Sequence, residues 1–296
     1  MSPSRFSVIS DEVSQDPADV LRFIRDFGLS GFELRSMFGR AFRDLTAGDV
    51  AAIRRLAKAE GLRVHGCATP VFKCELDDLA SVREHIDVFR RSLEVAGELD
   101  CGLLRVFTFL RPAEALDKDA LDRIVAQLTL LADLAARSGA RIGIENESSC
   151  RIGSGSEMVE LAGAFRHPAA GWIWDPCNVL YVPGASARPT AGFSKLVAGL
   201  IHIHVKDAVR TPGAQAPATP ALIGAGEVGW GRHLAEIRAS GYPGLLSLET
   251  HWRRAELDRT LLHLPAGHAF SAGGDEASRL CMQRLVDLWA AAGRDP

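Results

Sequence analysis

The sequence reads as one domain of the α/β class, a single (β/α)8 TIM barrel spanning residues 1–296. Three observations support this reading. Eight short apolar runs alternate with helical segments along the whole chain. Parallel strands joined in series need long crossovers, which those helices supply. At 296 residues the chain suits a barrel better than a pair of small domains, and no Pro/Gly/Ser linker divides it.

The strand segments, in order, are 5–10 (RFSVIS), 31–35 (GFELR), 62–67 (LRVHGC), 102–107 (GLLRVF), 141–146 (RIGIEN), 171–175 (GWIWD), 200–205 (LIHIHV) and 244–249 (GLLSLE). Helical periodicity fills 17–27, 47–60, 82–99, 113–138, 157–165, 232–239 and 276–292. Asp16 before Pro17 predicts an N-cap with proline at the first helical position, and Ser154 with Glu157 has capping-box spacing. Gly28, Gly61 and Gly139 each follow a helical run, where a left-handed stop is common. The sixth unit is the weakest, because its helix must fit the Pro- and Gly-broken stretch 183–197. Insertions at 207–230 and 252–275 are expected to form loops or lids. SDEVSQ after the first strand lacks the GxGxxG turn of a dinucleotide fold, and GAGEVG at 224–229 reads as a flexible glycine turn.

Composition narrows the function. The chain is 47% hydrophobic and 24% charged, as an ordinary globular protein is. Its formal net charge of −3 provides no positive field for nucleic acid or anionic lipid. The N-terminus has no signal-like apolar segment and no run reaches membrane-spanning length, so a cytoplasmic location is expected. The six scattered cysteines form no metal or disulfide framework and are expected to be buried, reduced thiols.

Four of the apolar runs end in Glu145, Asp175, His204 and Glu249. In a barrel, the C-terminal strand ends converge on one mouth. Three carboxylates gathered there would repel each other unless a cation sits between them. Two Glu, one Asp and one imidazole suit Mn2+, Mg2+ or Co2+ better than a thiolate zinc site, although Zn2+ stays on the list. Each residue alone also has a plainer reading. A carboxylate after a strand is more often a cap or salt bridge, Asp175 before Pro176 could begin a turn, and a lone His204 is commonly an interior histidine. Four such residues at strand ends favour the shared site.

Neighbouring positions add candidates. Period-two geometry places His202, His204 and Lys206 on one strand face, and Glu145 with Glu147 on another. Asn178 could orient a ligand or a substrate hydroxyl, or simply belong to a turn. Glu33, Arg35, His65, Lys73, Arg105 and Arg111 lie at or near other strand ends. Cations among them would suit a hydroxyl-bearing substrate with a carboxylate or phosphate, or else form rim salt bridges. His65 divides evenly between site and core.

GIEN, WDPCN, IHIHVKD, GAGEVGW and GYPGLLSLETHW, in this order, resemble the sugar phosphate isomerase/epimerase family of xylose-isomerase-like TIM barrels. SDEVSQD, GFELR, ATPVFK and LLRVFTF extend the resemblance through the N-terminal half. The resemblance implies one divalent metal ion, Mn2+ foremost, on Glu145, Asp175, His204 and Glu249. It also implies Glu33, His65, Lys73 and Arg105 as substrate contacts; Asn178, His202 and Lys206 join that set from their positions beside the predicted ligands. Glu145 and Glu249 would exchange protons with a sugar, sugar phosphate or keto-polyol through a metal-stabilised enediolate. Epimerases of the family often carry histidine where this chain has Asn178. A dehydratase of a keto-polyol or keto acid is the alternative. An apurinic endonuclease fits less well, since it needs more histidines and a basic face. The expected partner is a small carbohydrate, without nucleic acid or membrane, and family habit suggests a homodimer.

Overall fold

The computed structural model describes residues 5–112, 116–184, 187–211, 213, 217–255, 257–258, 261 and 266–293. Eight parallel strands form the barrel wall: β1 (Phe6–Val8), β2 (Gly31–Leu34), β3 (Arg63–Cys67), β4 (Leu103–Val106), β5 (Arg141–Glu145), β6 (Ala170–Trp174), β7 (Leu200–Val205) and β8 (Leu246–Leu248). Consecutive strands pair from β2 through β8, and β1 pairs with β8. The remaining seam, between β1 and β2, is closed by a single parallel bridge from Ile9 to Glu33. A TIM barrel is thus the fold the alternation predicts.

Long crossover helices cover the outside, among them α1 (Pro17–Asp26), α2 (Ala47–Ala59), α3 (Leu79–Glu98), α4 (Lys118–Arg137) and α5 (Gly155–Ala164). In α4, Ile124, Leu128, Leu131 and Ala135 recur at helical spacing and are fully buried against the strands. The predicted start of this helix at Ala113 lies outside the described residues, and Asp117 caps it by accepting from Ala120 N–H. Asp16 caps α1 with Pro17 at its first position, and Ser154 with Glu157 completes a capping box. Gly28, Gly61 and Gly139 take φ of 61°, 66° and 70°, the left-handed turn that returns each helix to the next strand.

The sixth unit departs from the pattern. In place of one crossover helix, two single-turn segments, Asn178–Tyr181 and Phe193–Leu196, bridge the gap. The prolines and glycines of 183–197 leave no uninterrupted run long enough to propagate a helix. The loop after β7 is also not a flexible glycine turn. Asp207, fully buried, accepts hydrogen bonds from the backbone N–H groups of Ala208, Gly224, Gly226 and Val228. The Trp230 indole N–H donates to the Lys206 carbonyl at 2.9 Å, fixing the far end of the loop. The described parts of 207–230 and 252–275 lie beyond the ends of β7 and β8; the other residues of both segments lie outside the described set. All six cysteines are free and buried.

Two substitutions test this architecture. A Cβ on Gly31 would lie 1.9 Å from the Arg63 carbonyl oxygen of the adjacent strand. Gly31→Ala is therefore expected to cost at least about 2 kcal/mol, read as a lower urea midpoint. A Cβ on Gly226 would lie 2.1 Å from Asp207 Oδ1, so Gly226→Ala should release the loop. Faster backbone hydrogen exchange at Gly224–Val228 than elsewhere in the barrel is the expected signature; unchanged protection would contradict the clamp.

Candidate active site

Glu145 is the last residue of β5, His204 lies one residue from the end of β7, and Asp175 and Glu249 directly follow β6 and β8. These four positions sit at the C-terminal rim and point inward. Ligand atoms of all four lie within 4.8 Å of one another, and the residues are 0–3% exposed. The structure brings the predicted quartet into one cup. His204 Nδ1 is 2.9 Å from Glu145 Oε1 and 3.7 Å from Glu249 Oε2.

Three carboxylates in so small a buried volume repel each other. Burial, together with Glu249 and Glu145, pushes the Asp175 carboxyl up to about 7 even though Lys206 opposes the shift. Burial would also raise Glu249, but Lys206, His251, Arg35 and His204 hold it well below the usual carboxylate range. Lys206 Nζ lies 3.0 Å from Asp175 Oδ2 and 3.1 Å from Glu249 Oε2, so it faces the acid cluster directly. Two oxygens stay unmatched as acceptors. Glu145 Oε2 and Asp175 Oδ2 are buried without a well-directed hydrogen bond, although Arg105 Nη1 at 3.2 Å and Lys206 Nζ at 3.0 Å are close enough for ion pairing. Orphaned carboxylate oxygens beside an imidazole nitrogen form an oxygen-rich donor set that fits a divalent cation.

A second layer of charge supports Glu249. Arg35 reaches Glu249 Oε1 at 2.5 Å, Glu12 Oε1 at 2.7 Å and Asp11 Oδ1 at 2.9 Å. Arg253 lies 3.3 Å from Glu12 Oε2, and His251 Nε2 is 3.4 Å from both Glu12 Oε1 and Glu249 Oε1. The Phe270 ring lies 5.0 Å from the Arg35 guanidinium and 5.3 Å from that of Arg253. Sequence reasoning missed Asp11, Glu12, His251 and Arg253. The signal was present, because SDEV closes its apolar run as the three recognised acids and the histidine close theirs.

The other predicted residues divide into groups. Arg105 pairs with Glu145 and donates to the carbonyls of Ala68 and Thr69. Asn178 donates to the Asn146 carbonyl at 2.8 Å and lies 3.4 Å from Glu145 Oε1. Lys73 lies 3.4 Å from Glu147 and 5.1 Å from the Phe107 ring centroid. Phe72 and Phe109, both at left-handed φ and stacked at 4.4 Å, fix the loops beside that pair. Glu33 and His202 are buried inside the barrel and bonded to each other. His65 is not brought to the cup: its nitrogens bond the Ser7 and Ser30 hydroxyls, and burial lowers it to about 4. Its place in the middle of β3 puts it a layer below the mouth. Arg111 forms a two-point pair with Glu157, the rim salt bridge considered for it.

Solved structures resemble the whole chain at low identity. The IOLI protein with a zinc atom aligns at TM-score 0.74 and 14% identity, covering 99% of this chain and 100% of its own. A probable 3-DHS dehydratase from Bacillus anthracis gives 0.69 and 15%, covering 94% and 99%. A 3-keto-D-glucoside 4-epimerase from E. coli gives 0.66 and 15%, covering 97% and 99%. No curated protein matches the chain by sequence. The family model for the xylose isomerase-like TIM barrel matches residues 21–269, and the chain belongs to that family.

Proposed function

We propose that the protein is a metal-dependent isomerase or epimerase of a small carbohydrate, moving a proton at a carbon next to a carbonyl. The observation that carries this reading is the buried cup in which Glu145, Asp175, His204 and Glu249 bring ligand atoms within 4.8 Å of one another. A divalent ion held by these four would supply Lewis-acid polarisation of a substrate carbonyl. The similar folds of an epimerase and of a zinc-containing protein support the same class of chemistry.

Within that frame the chain supplies the proton carriers. Glu145 and Glu249 come from β5 and from just after β8, on different arcs of the barrel wall. One carboxylate takes the proton from the substrate carbon and the other returns one, which inverts the centre or shifts the carbonyl. Arg35 fixes one oxygen of Glu249 and Lys206 faces the other, so the carboxylate cannot rotate freely. Lys206 and Arg105 face the cup with positive charge suited to negative charge developing on substrate oxygens, and Lys73 pairs with Glu147 two residues beyond Glu145. The catalytic pair, the cation and the substrate contacts together constitute the proposal.

A dehydratase would use the same carboxylates to remove the proton and expel a neighbouring hydroxyl, and the similar fold of a dehydratase gives that second reading its support. The two part on one measurement. Ketoses and keto-polyols incubated in D2O with protein and Mn2+ should gain deuterium at the carbon beside the carbonyl without losing water; release of an unsaturated product assigns the dehydratase instead.

Two further outcomes follow. Dialysis against a chelator should abolish turnover, and Mn2+ should restore it; full activity in the chelated protein would remove the metal from the proposal. Glu249→Gln and Glu145→Gln should each lower kcat by about 100-fold or more while circular dichroism stays that of the folded barrel. Near-normal kcat in either variant excludes that residue as a proton carrier.

A further inference from the structure

Glu33 is placed with unusual care for a side chain that does not reach the mouth. The pairing of β2 with β3 shifts register between Phe32 and Glu33, so that Glu33 sits opposite Gly66. A Cβ on Gly66 would lie 3.4 Å from both Glu33 Cγ and Glu33 Oε2, so the strand backbone packs directly against this side chain. Glu33 is 1% exposed. Its Oε1 is 2.7 Å from His202 Nε2, and its Oε2 is 3.3 Å from His204 Nε2. The two imidazole rings meet edge to face, with centroids 5.5 Å apart.

We propose that Glu33 is a positioning residue, which fixes the ring of His204 and thereby the nitrogen that His204 presents to the cation cup. The inference rests on the reading of that cup as a metal site. An imidazole can hold its single proton on either nitrogen, and the hydrogen bond made by one nitrogen decides what the other offers. Carboxylates flank both nitrogens, Glu145 Oε1 at 2.9 Å from Nδ1 and Glu33 Oε2 at 3.3 Å from Nε2; since a carboxylate only accepts, a cation in the cup would take the place of the Nδ1 proton while Glu33 holds the proton on Nε2. His202 engages the remaining Glu33 oxygen, so the carboxylate is anchored at both ends. With both oxygens turned to these histidines, Glu33 acts through His204 and not on the substrate. The resemblance had suggested a substrate contact for this residue.

The test uses Zn2+, a diamagnetic probe, on the full chain. Metal affinity is measured by competition with a chromophoric chelator, and long-range 1H–15N NMR of labelled histidine reads the protonated nitrogen of His204. Wild type should show Nε2–H with Nδ1 toward the metal. Glu33→Gln, nearly isosteric, should weaken Zn2+ binding about 10- to 100-fold and alter the His204 pattern, with KM unchanged at saturating metal. Glu33→Asp, which keeps the charge, should retain the nitrogen pattern and lose less affinity. Equal affinity losses in the two variants would assign the effect to packing and overturn the inference. Wild-type affinity and pattern in Glu33→Gln would overturn it too, while leaving the cup intact. A wild-type protein that takes up no Zn2+ would instead sink the reading of the cup, and the inference with it.

Discussion

The constraint that organises this molecule is the neutralisation of Glu145, Asp175 and Glu249 inside one buried volume. Removing several carboxylates from water is costly unless compensating charge is built around them. The barrel meets this by aiming cations inward from different strand ends: Arg35 after β2, Arg105 in β4 and Lys206 after β7. None of these contacts is local in sequence. They exist only because parallel closure brings all the C-terminal strand ends to one mouth.

That dependence also explains what was legible before any coordinates. A strand shows itself through a short apolar run, and the residue ending the run falls at the rim whichever strand it belongs to. Glu145, Asp175, His204 and Glu249 were readable for this reason, as were the caps at Asp16 and Ser154. Depth along a strand is harder to read, because β-periodicity gives the face and not the layer. His65 and Glu33 were read as lying at or near strand ends, but His65 bonds the Ser7 and Ser30 hydroxyls and Glu33 bonds His202 inside the barrel. Lys206 belonged to the right face, yet its place between Asp175 and Glu249 depends on how three strands stagger.

Loop chemistry was the least legible part. A glycine-rich stretch such as GAGEVG carries the same composition whether it is slack or wrapped around a carboxylate. What decided between them was Asp207, seventeen residues from Gly224, whose oxygens needed donors. The Asp11 and Glu12 pair was likewise hidden, although SDEVSQD carries part of the family resemblance. Its partners Arg35 and Arg253 come from the opposite parts of the chain.

The seam between β1 and β2 has a mechanical meaning of its own. Where most neighbouring strands share a ladder of several pairs, this pair shares one bridge at Ile9 and Glu33, and Arg35 ties its two sides through Asp11 and Glu12. Side-chain contacts hold position without the cooperativity of a continuous ladder. Slow breathing of the cylinder is therefore expected to involve this line, beside Glu33.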